Sequence, residues 1–164
     1  MTTTDYAPRH RVLLVEDNPH EAAVLQRWLS TENRFEVSVA ADGALAADLL
    51  RQQPWSLIVS DLKLPNRSGL DLLHDLRRDD DLTPFLLVSA EASTTDACLA
   101  VRNHANDFLL KPLDYTGFTE TVRNLAGSYT DTVRRRAVLQ SRLENRKHAQ
   151  FLSAGRALTA QLVS

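Results

Sequence analysis

The sequence predicts an α/β fold, a doubly wound parallel sheet followed by a C-terminal helical extension. Strand-like and helix-like segments alternate five times across about 125 residues, with short connections between them. The strand candidates are mostly near-continuous apolar runs, the pattern of strands covered on both faces. Charge supplies the boundary: residues 1–127 hold 12 Lys/Arg against 19 Asp/Glu, a net −7, whereas residues 128–164 hold 7 against 2, a net +5. An N-terminal tail (1–9), an acidic domain (10–127) and a basic extension (128–164) follow from this division.

Taken in order, Arg11-Val12-Leu13-Leu14-Val15 is the first strand, and Asn18-Pro19 supplies an N-cap and a proline at the first helical position. Ala22, Ala23, Leu25, Gln26 and Leu29 form the face of that helix. Phe35 to Val39 alternates like an outer strand. Asp42 opens the second helix, which uses Leu45, Ala46, Leu49 and Leu50 and stops near Pro54. Ser56 to Asp61 is the third strand. Ser68-Gly69-Leu70-Asp71 has the form of a capping box, with Asp in place of Glu, ahead of a helix bearing Leu72, Leu73 and Leu76. Pro84 to Ser89, Thr94 to Asn103 and Asp107 to Leu110 give the fourth strand, fourth helix and fifth strand. The last helix starts near Asp114 and runs through Phe118, Val122 and Leu125.

Composition excludes several classes. No apolar stretch approaches the ~20 residues that span a bilayer, and the N-terminus lacks the apolar core of a secretory signal. The single Cys98 cannot form an internal disulfide, and the five histidines are scattered without ligand spacing, which speaks against zinc and favours a reducing cytoplasm.

The chemistry gathers at strand ends. Glu16-Asp17 follow the first strand, Asp61 ends the third, Ser89 the fourth, and Lys111 follows the fifth. In a parallel sheet these ends share one edge, where open α/β sheets bind ligands. Each residue alone has a plainer reading: a turn cap at Asp61, a solvated helix start at Glu16-Asp17, a turn at Ser89, a surface lysine at Lys111. Together they place three carboxylates, a hydroxyl and an ammonium in one cleft. Clustered carboxylates call for a cation, and Mg²⁺ suits a few carboxylates with waters and phosphate oxygens. Phosphatases that use a strand-end Asp need a second acid two positions later, where this chain has Lys63. No P-loop or dinucleotide glycine pattern is present.

With these motifs the sequence resembles the receiver domains of two-component response regulators, over roughly residues 10–127. The resemblance rests on Glu16-Asp17-Asn18, on Ser60-Asp61-Leu62-Lys63-Leu64-Pro65 with Ser68-Gly69, on Ser89-Ala90, and on Asp107-Phe108-Leu109-Leu110-Lys111-Pro112. It implies a flavodoxin-like sheet of order 2-1-3-4-5 and a phospho-acceptor switch rather than an enzyme. Asp61 is then the acceptor of a phosphoryl group from a sensor histidine kinase or phosphotransfer protein. Glu16, Asp17, Asp61 and the Lys63 backbone carbonyl would hold Mg²⁺, Lys111 would pair with a phosphoryl oxygen, and Ser89 and Phe108 would form the switch. An alternative keeps the fold but not the phosphorylation, as an interaction or dimerisation module. Ser89 stands where Thr is more frequent and Phe108 where Tyr is common. Lys63 places an ammonium beside the acceptor, pointing to solvent in the plainer reading. His104 replaces the usual Gly before the fifth strand, at a cost of roughly 1–2 kcal/mol if the backbone there is left-handed.

In the basic extension Val133, Ala137, Leu143, Phe151, Ala154, Leu158 and Leu162 make an apolar stripe near helical period, interrupted by Arg146-Lys147. The last domain helix is expected either to run on into this segment or to break at Gly127-Ser128. The stripe suits a homodimer, through this helix or through the face of helix four, strand five and helix five, or else a linker to a further domain. The Arg134-Arg135-Arg136 cluster lacks an accompanying helix-turn-helix pattern, so direct DNA binding is not expected, nor is a membrane partner.

Overall fold

The computed structural model describes residues 9–91 and 93–162, with side chains to 156. The N-terminal residues 1–8 and the side chains of Leu158 and Leu162 in the expected stripe lie outside the described residues. Two compact units divide the chain, 1–129 and 130–164.

Five strands alternate with five helices: β1 (His10–Val15), α1 (Pro19–Ser30), β2 (Phe35–Ala40), α2 (Gly43–Gln52), β3 (Leu57–Asp61), α3 (Gly69–Arg78), β4 (Phe85–Ser89), α4 (Thr94–Arg102), β5 (Asp107–Leu110) and α5 (Tyr115–Leu162). All pairings are parallel, and the strand order is β2-β1-β3-β4-β5. The order reverses between β1 and β3, the switch point at which such sheets open a crevice.

Alternation along each inner strand builds two cores. Leu13, Val15, Ile58, Phe85 and Leu87 pack on one face with Leu72, Leu73 and Leu76 of α3 and Ala46 of α2. Val12, Leu14, Leu57, Val59, Leu86 and Val88 pack on the other with Leu25 and Leu29 of α1 and Phe118 and Val122 of α5. Both faces of β1, β3 and β4 are therefore dry, which is why these strands read as continuous apolar runs. Two helical faces are narrower than the sequence suggests. Ala23 and Gln26 of α1 are exposed, and Leu45 of α2 is 43% exposed, because one turn of each helix contributes a single inward row to the sheet.

The caps are those the sequence writes. Asn18 Oδ1 accepts from the His20 and Glu21 amides at 3.0 and 3.3 Å, and Asp42 Oδ1 from Leu45 at 2.8 Å. Ser68 and Asp71 close the capping box of α3 reciprocally, each contact at 3.1 Å. Ser93 and Asp96 do the same for α4. His104 has φ 58°. It ends α4 in a Schellman motif, its N–H reaching Val101 O at 3.0 Å and that of Ala105 reaching Ala100 O at 2.9 Å.

Of the two expectations at Gly127-Ser128, continuity holds: α5 is a single helix of 48 residues. An isolated glycine costs a helix only about 1 kcal/mol against alanine, and Ser128 returns its hydroxyl to Leu125 O at 2.8 Å, within the helix.

Candidate functional site

Each element delivers one group to the C-terminal edge. The Glu16 amide continues the β1–β2 ladder to Ala40 O at 3.1 Å, the Leu62 amide continues β3 to Val88 O at 2.9 Å, and the Lys111 amide continues β5 to Ser89 O at 2.9 Å. Backbone pairing thus fixes where Glu16, Asp61 and Lys111 emerge. A second constraint comes from Gly69: a Cβ there would lie 2.3 Å from Asp61 O and 2.9 Å from Ser60 Oγ. The start of α3 therefore packs directly against the backbone of Asp61.

Lys111 is the hub. Its Nζ donates to Glu16 Oε2 and Asp61 Oδ2, both at 2.9 Å, and to Glu21 Oε2 in a shorter contact. The Lys111 side chain is 14% exposed and that of Glu16 is 3% exposed. The other oxygens are also engaged. Glu16 Oε1 accepts from the Asn18 amide at 3.2 Å, and Asp61 Oδ1 accepts from the Lys63 amide at 3.1 Å. Burial pushes the Glu16 carboxyl up, against the lowering effect of Lys111 and the Asn18 amide. For Lys111 burial works against the charge, and its hydrogen bonds to Glu21, Asp61 and Glu16 outweigh it, holding the ammonium above its ordinary range.

Asp17 is exposed, yet Glu16, Asp17 and Asp61 each offer an oxygen within 4.8 Å of the others. This all-oxygen donor set, with one member facing solvent, fits a hard divalent cation that keeps several waters.

The hydroxyl and aromatic positions are placed as well. Ser89 is 1% exposed; its Oγ donates to Glu91 O at 2.6 Å and accepts from the Glu91 amide at 3.2 Å. Phe108 is half-buried and packs against the core that contains Phe85 and Leu87. Lys63 faces solvent, and its Nζ lies 3.3 Å from Glu91 Oε2 in an exposed ion pair beside the acceptor. Sequence reading missed Glu21 and Glu91. Glu21 had a signal, since it occupies the first turn of α1 immediately beyond Glu16-Asp17; Glu91 follows Ser89 on a loop with no pattern of its own.

Fold and site together define a class: an open parallel α/β domain with an acidic cleft and a lysine at the C-terminal ends of β1, β3 and β5. The response regulator receiver domain family matches residues 12–123, and the chain belongs to that family. Over 116 residues it is 33% identical to the TorCAD operon transcriptional regulatory protein TorR of Escherichia coli O157:H7, covering 71% of this chain and 50% of TorR. The receiver domain of Francisella response regulator 1452 superposes with a TM-score of 0.68 at 27% identity, over 73% of this chain and 98% of that one. The receiver domain of the sensor histidine kinase PA1611 from Pseudomonas aeruginosa PAO1, solved with a magnesium ion coordinated in its active site cleft, gives 0.66 at 26% identity, over 73% and 98%. Receiver domains are phosphorylation-dependent switches that pair with histidine kinases, and they bind Mg²⁺ at an acidic site. The chain spans about half the length of the curated relative TorR. Among the described residues no helix is long and apolar enough to cross a membrane.

Proposed function

We propose that this chain accepts a phosphoryl group on Asp61 from the phosphohistidine of a sensor kinase or phosphotransfer protein, in a Mg²⁺-dependent reaction. The observation that carries the reading is the convergence of Lys111, Glu16 and Asp61, with both contacts at 2.9 Å. Asp61 attacks phosphorus through a carboxylate oxygen; the P–O bond forms, the P–N bond breaks, and the imidazole, protonated on its other ring nitrogen, leaves neutral with the P–N electron pair. Glu16, Asp17, Asp61 and the Lys63 backbone carbonyl are the groups that would hold Mg²⁺. Bound there, the ion supplies neutralisation of phosphoryl oxygens.

The rest falls to the chain's own residues. Lys111, itself largely buried, gives the transferring group a positive charge already held in place by Glu16 and Asp61, and preorganised charge of this kind stabilises the oxygens that develop negative charge. The Lys63 amide orients Asp61. Ser89 Oγ, now turned to Glu91 O, exchanges that partner for a phosphoryl oxygen, and Phe108 repacks behind it. Such an element converts a local charge event into a new surface; moving it from 1:99 to 99:1 takes about 5.5 kcal/mol.

The output proposed is homodimerisation through the C-terminal helix, in the cytoplasm, with no direct DNA contact by residues 128–164. Incubation with Mg²⁺ and acetyl phosphate should add one phosphoryl mass to the wild type and none to Asp61→Asn. A folded wild type that stays unmodified would leave the phosphorylation-independent module as the function.

A further inference from the structure

The third carboxylate on Lys111 has no part in the reading above. Glu21 lies on the first turn of α1, outside the β-strand ends that supply the other groups, and its Oε2 accepts from Lys111 Nζ. An ammonium has three donors, and Glu16, Asp61 and Glu21 occupy all of them. Placement of Lys111 does not require Glu21. The lysine backbone is tied to Ser89, and two nearly buried carboxylates already hold its Nζ at 2.9 Å. Glu21 is different in kind, with a side chain 44% exposed. It also lines, with His20, Trp28 and Lys111, an open pocket of about 420 Å³ between α1 and the segment after β5.

We infer that Glu21 is a tuning residue for phosphoryl transfer, a resident carboxylate that competes with the phosphoryl group for the charge of Lys111 and so restrains phosphorylation of Asp61. The inference rests on the phospho-acceptor reading. A phosphoryl group arriving at Asp61 brings negative charge to a lysine already shared among three anions. Charge drawn toward Glu21 is unavailable to the oxygens that develop it in the transition state. Glu21 is also the one partner that can be withdrawn without exposing a buried group, because it already reaches solvent.

The test compares Glu21→Gln, which keeps the shape and loses the charge, with Glu21→Asp, which keeps the charge and shortens the reach by one methylene. Glu36→Gln, on the distant β2, controls for net charge. In the full chain with acetyl phosphate and Mg²⁺, both Glu21 variants are expected to phosphorylate about two- to fivefold faster than wild type, with Glu36→Gln unchanged. A metal-free readout accompanies the rates: acylation of the Lys111 amine, followed by peptide mass mapping, should be faster by a similar factor in both Glu21 variants. Phosphorylation of the variants within twofold of wild type, or slower than it, would overturn the inference while leaving Asp61 as acceptor. Glu21→Asp behaving as wild type would also overturn it, by showing a through-space field rather than the pairing. Failure of the wild type itself to be phosphorylated would instead remove the acceptor reading, and this inference with it.

Discussion

Lys111 Nζ lies 2.9 Å from Asp61 Oδ2 across 50 residues of sequence. The contact exists because β3 and β5 flank β4 in parallel, so both side chains emerge at the same edge.

A pH dependence follows from that contact. The Lys111 ammonium is held above its usual range. A raised lysine pKa gives stability that is fully present below the unfolded-chain value of about 10.4 and is lost as pH rises through the folded value. Lys111→Met should therefore cost stability at pH 8, by about 3 kcal/mol for a mostly buried partner left uncompensated. The gap to wild type should narrow above pH 10. Urea unfolding at pH 8, 10 and 11 measures it. A gap unchanged up to pH 11 would show that Lys111 contributes through packing rather than charge.

Gly69 sets the position of the acceptor from behind. An added Cβ would meet Asp61 O at 2.3 Å and Leu87 Cδ2 at 3.0 Å, and neither the ladder nor the core can give way freely. Gly69→Ala is expected to destabilise the domain by about 1–3 kcal/mol, the usual cost of overpacking. Acetyl phosphate labelling of the surviving folded fraction should fall as well, because Asp61 shifts relative to Lys111. Denaturant titration and intact mass give the two numbers independently, and normal labelling at reduced stability would separate packing from placement.

Most of this was legible because the signals are local or periodic. Buried strands announce themselves as apolar runs, Asn18, Asp42 and Ser68 announce helix starts, and a parallel sheet then brings Glu16, Asp61 and Lys111 together without further information. What the sequence hid depends on side-chain reach. Glu21 is a helix residue whose long side chain crosses to Lys111, and no spacing rule distinguishes that from a solvated first turn. Glu91 meets Lys63 across a loop, a pairing set by loop path rather than by pattern. Continuity of α5 through Gly127 was one of two readings the sequence allowed, because a local breaker signal there competes with good helix formers on either side.

His104 is the clearest local strain. It holds φ 58° at the position after the α4 cap, where a side chain costs roughly 1–2 kcal/mol. Replacement by glycine removes that cost but gives the unfolded chain more freedom, worth about 0.4–1 kcal/mol in the other direction. The Arg77 guanidinium donates to the backbone oxygen of His104, at 3.3 and 3.1 Å, so the contact survives the change. His104→Gly should thus give a net gain of up to about 1.6 kcal/mol, read as a rise in the urea midpoint at constant slope. A fall in the midpoint would mean that the imidazole makes a contribution the strain argument omits.

The second unit makes the last prediction. Along α5 beyond residue 129, Val133, Val138, Leu139, Leu143, Phe151 and Leu152 are all at least 44% exposed, and Phe151 reaches 77%. Burying such side chains is worth about 1.5–3 kcal/mol each, whereas an isolated helix gains little from propensity alone. Of these, Val133, Leu143 and Phe151 share one face of the helix with Ala137 and Ala154, and a second copy of the same helix offers the matching stripe. The net charge of +5 over residues 128–164 opposes that pairing, so association should strengthen as salt screens it, with a Debye length near 8 Å at 0.15 M. Light scattering should give a dimer mass for the full chain and a monomer mass for residues 1–129, with the full-chain dimer fraction rising between 0.05 and 0.5 M NaCl. Leu143→Lys together with Phe151→Lys should return the full chain to monomer while its phosphorylation on Asp61 continues. Equal monomeric masses for the full chain and the truncation at both salt concentrations would remove dimerisation from the proposed output.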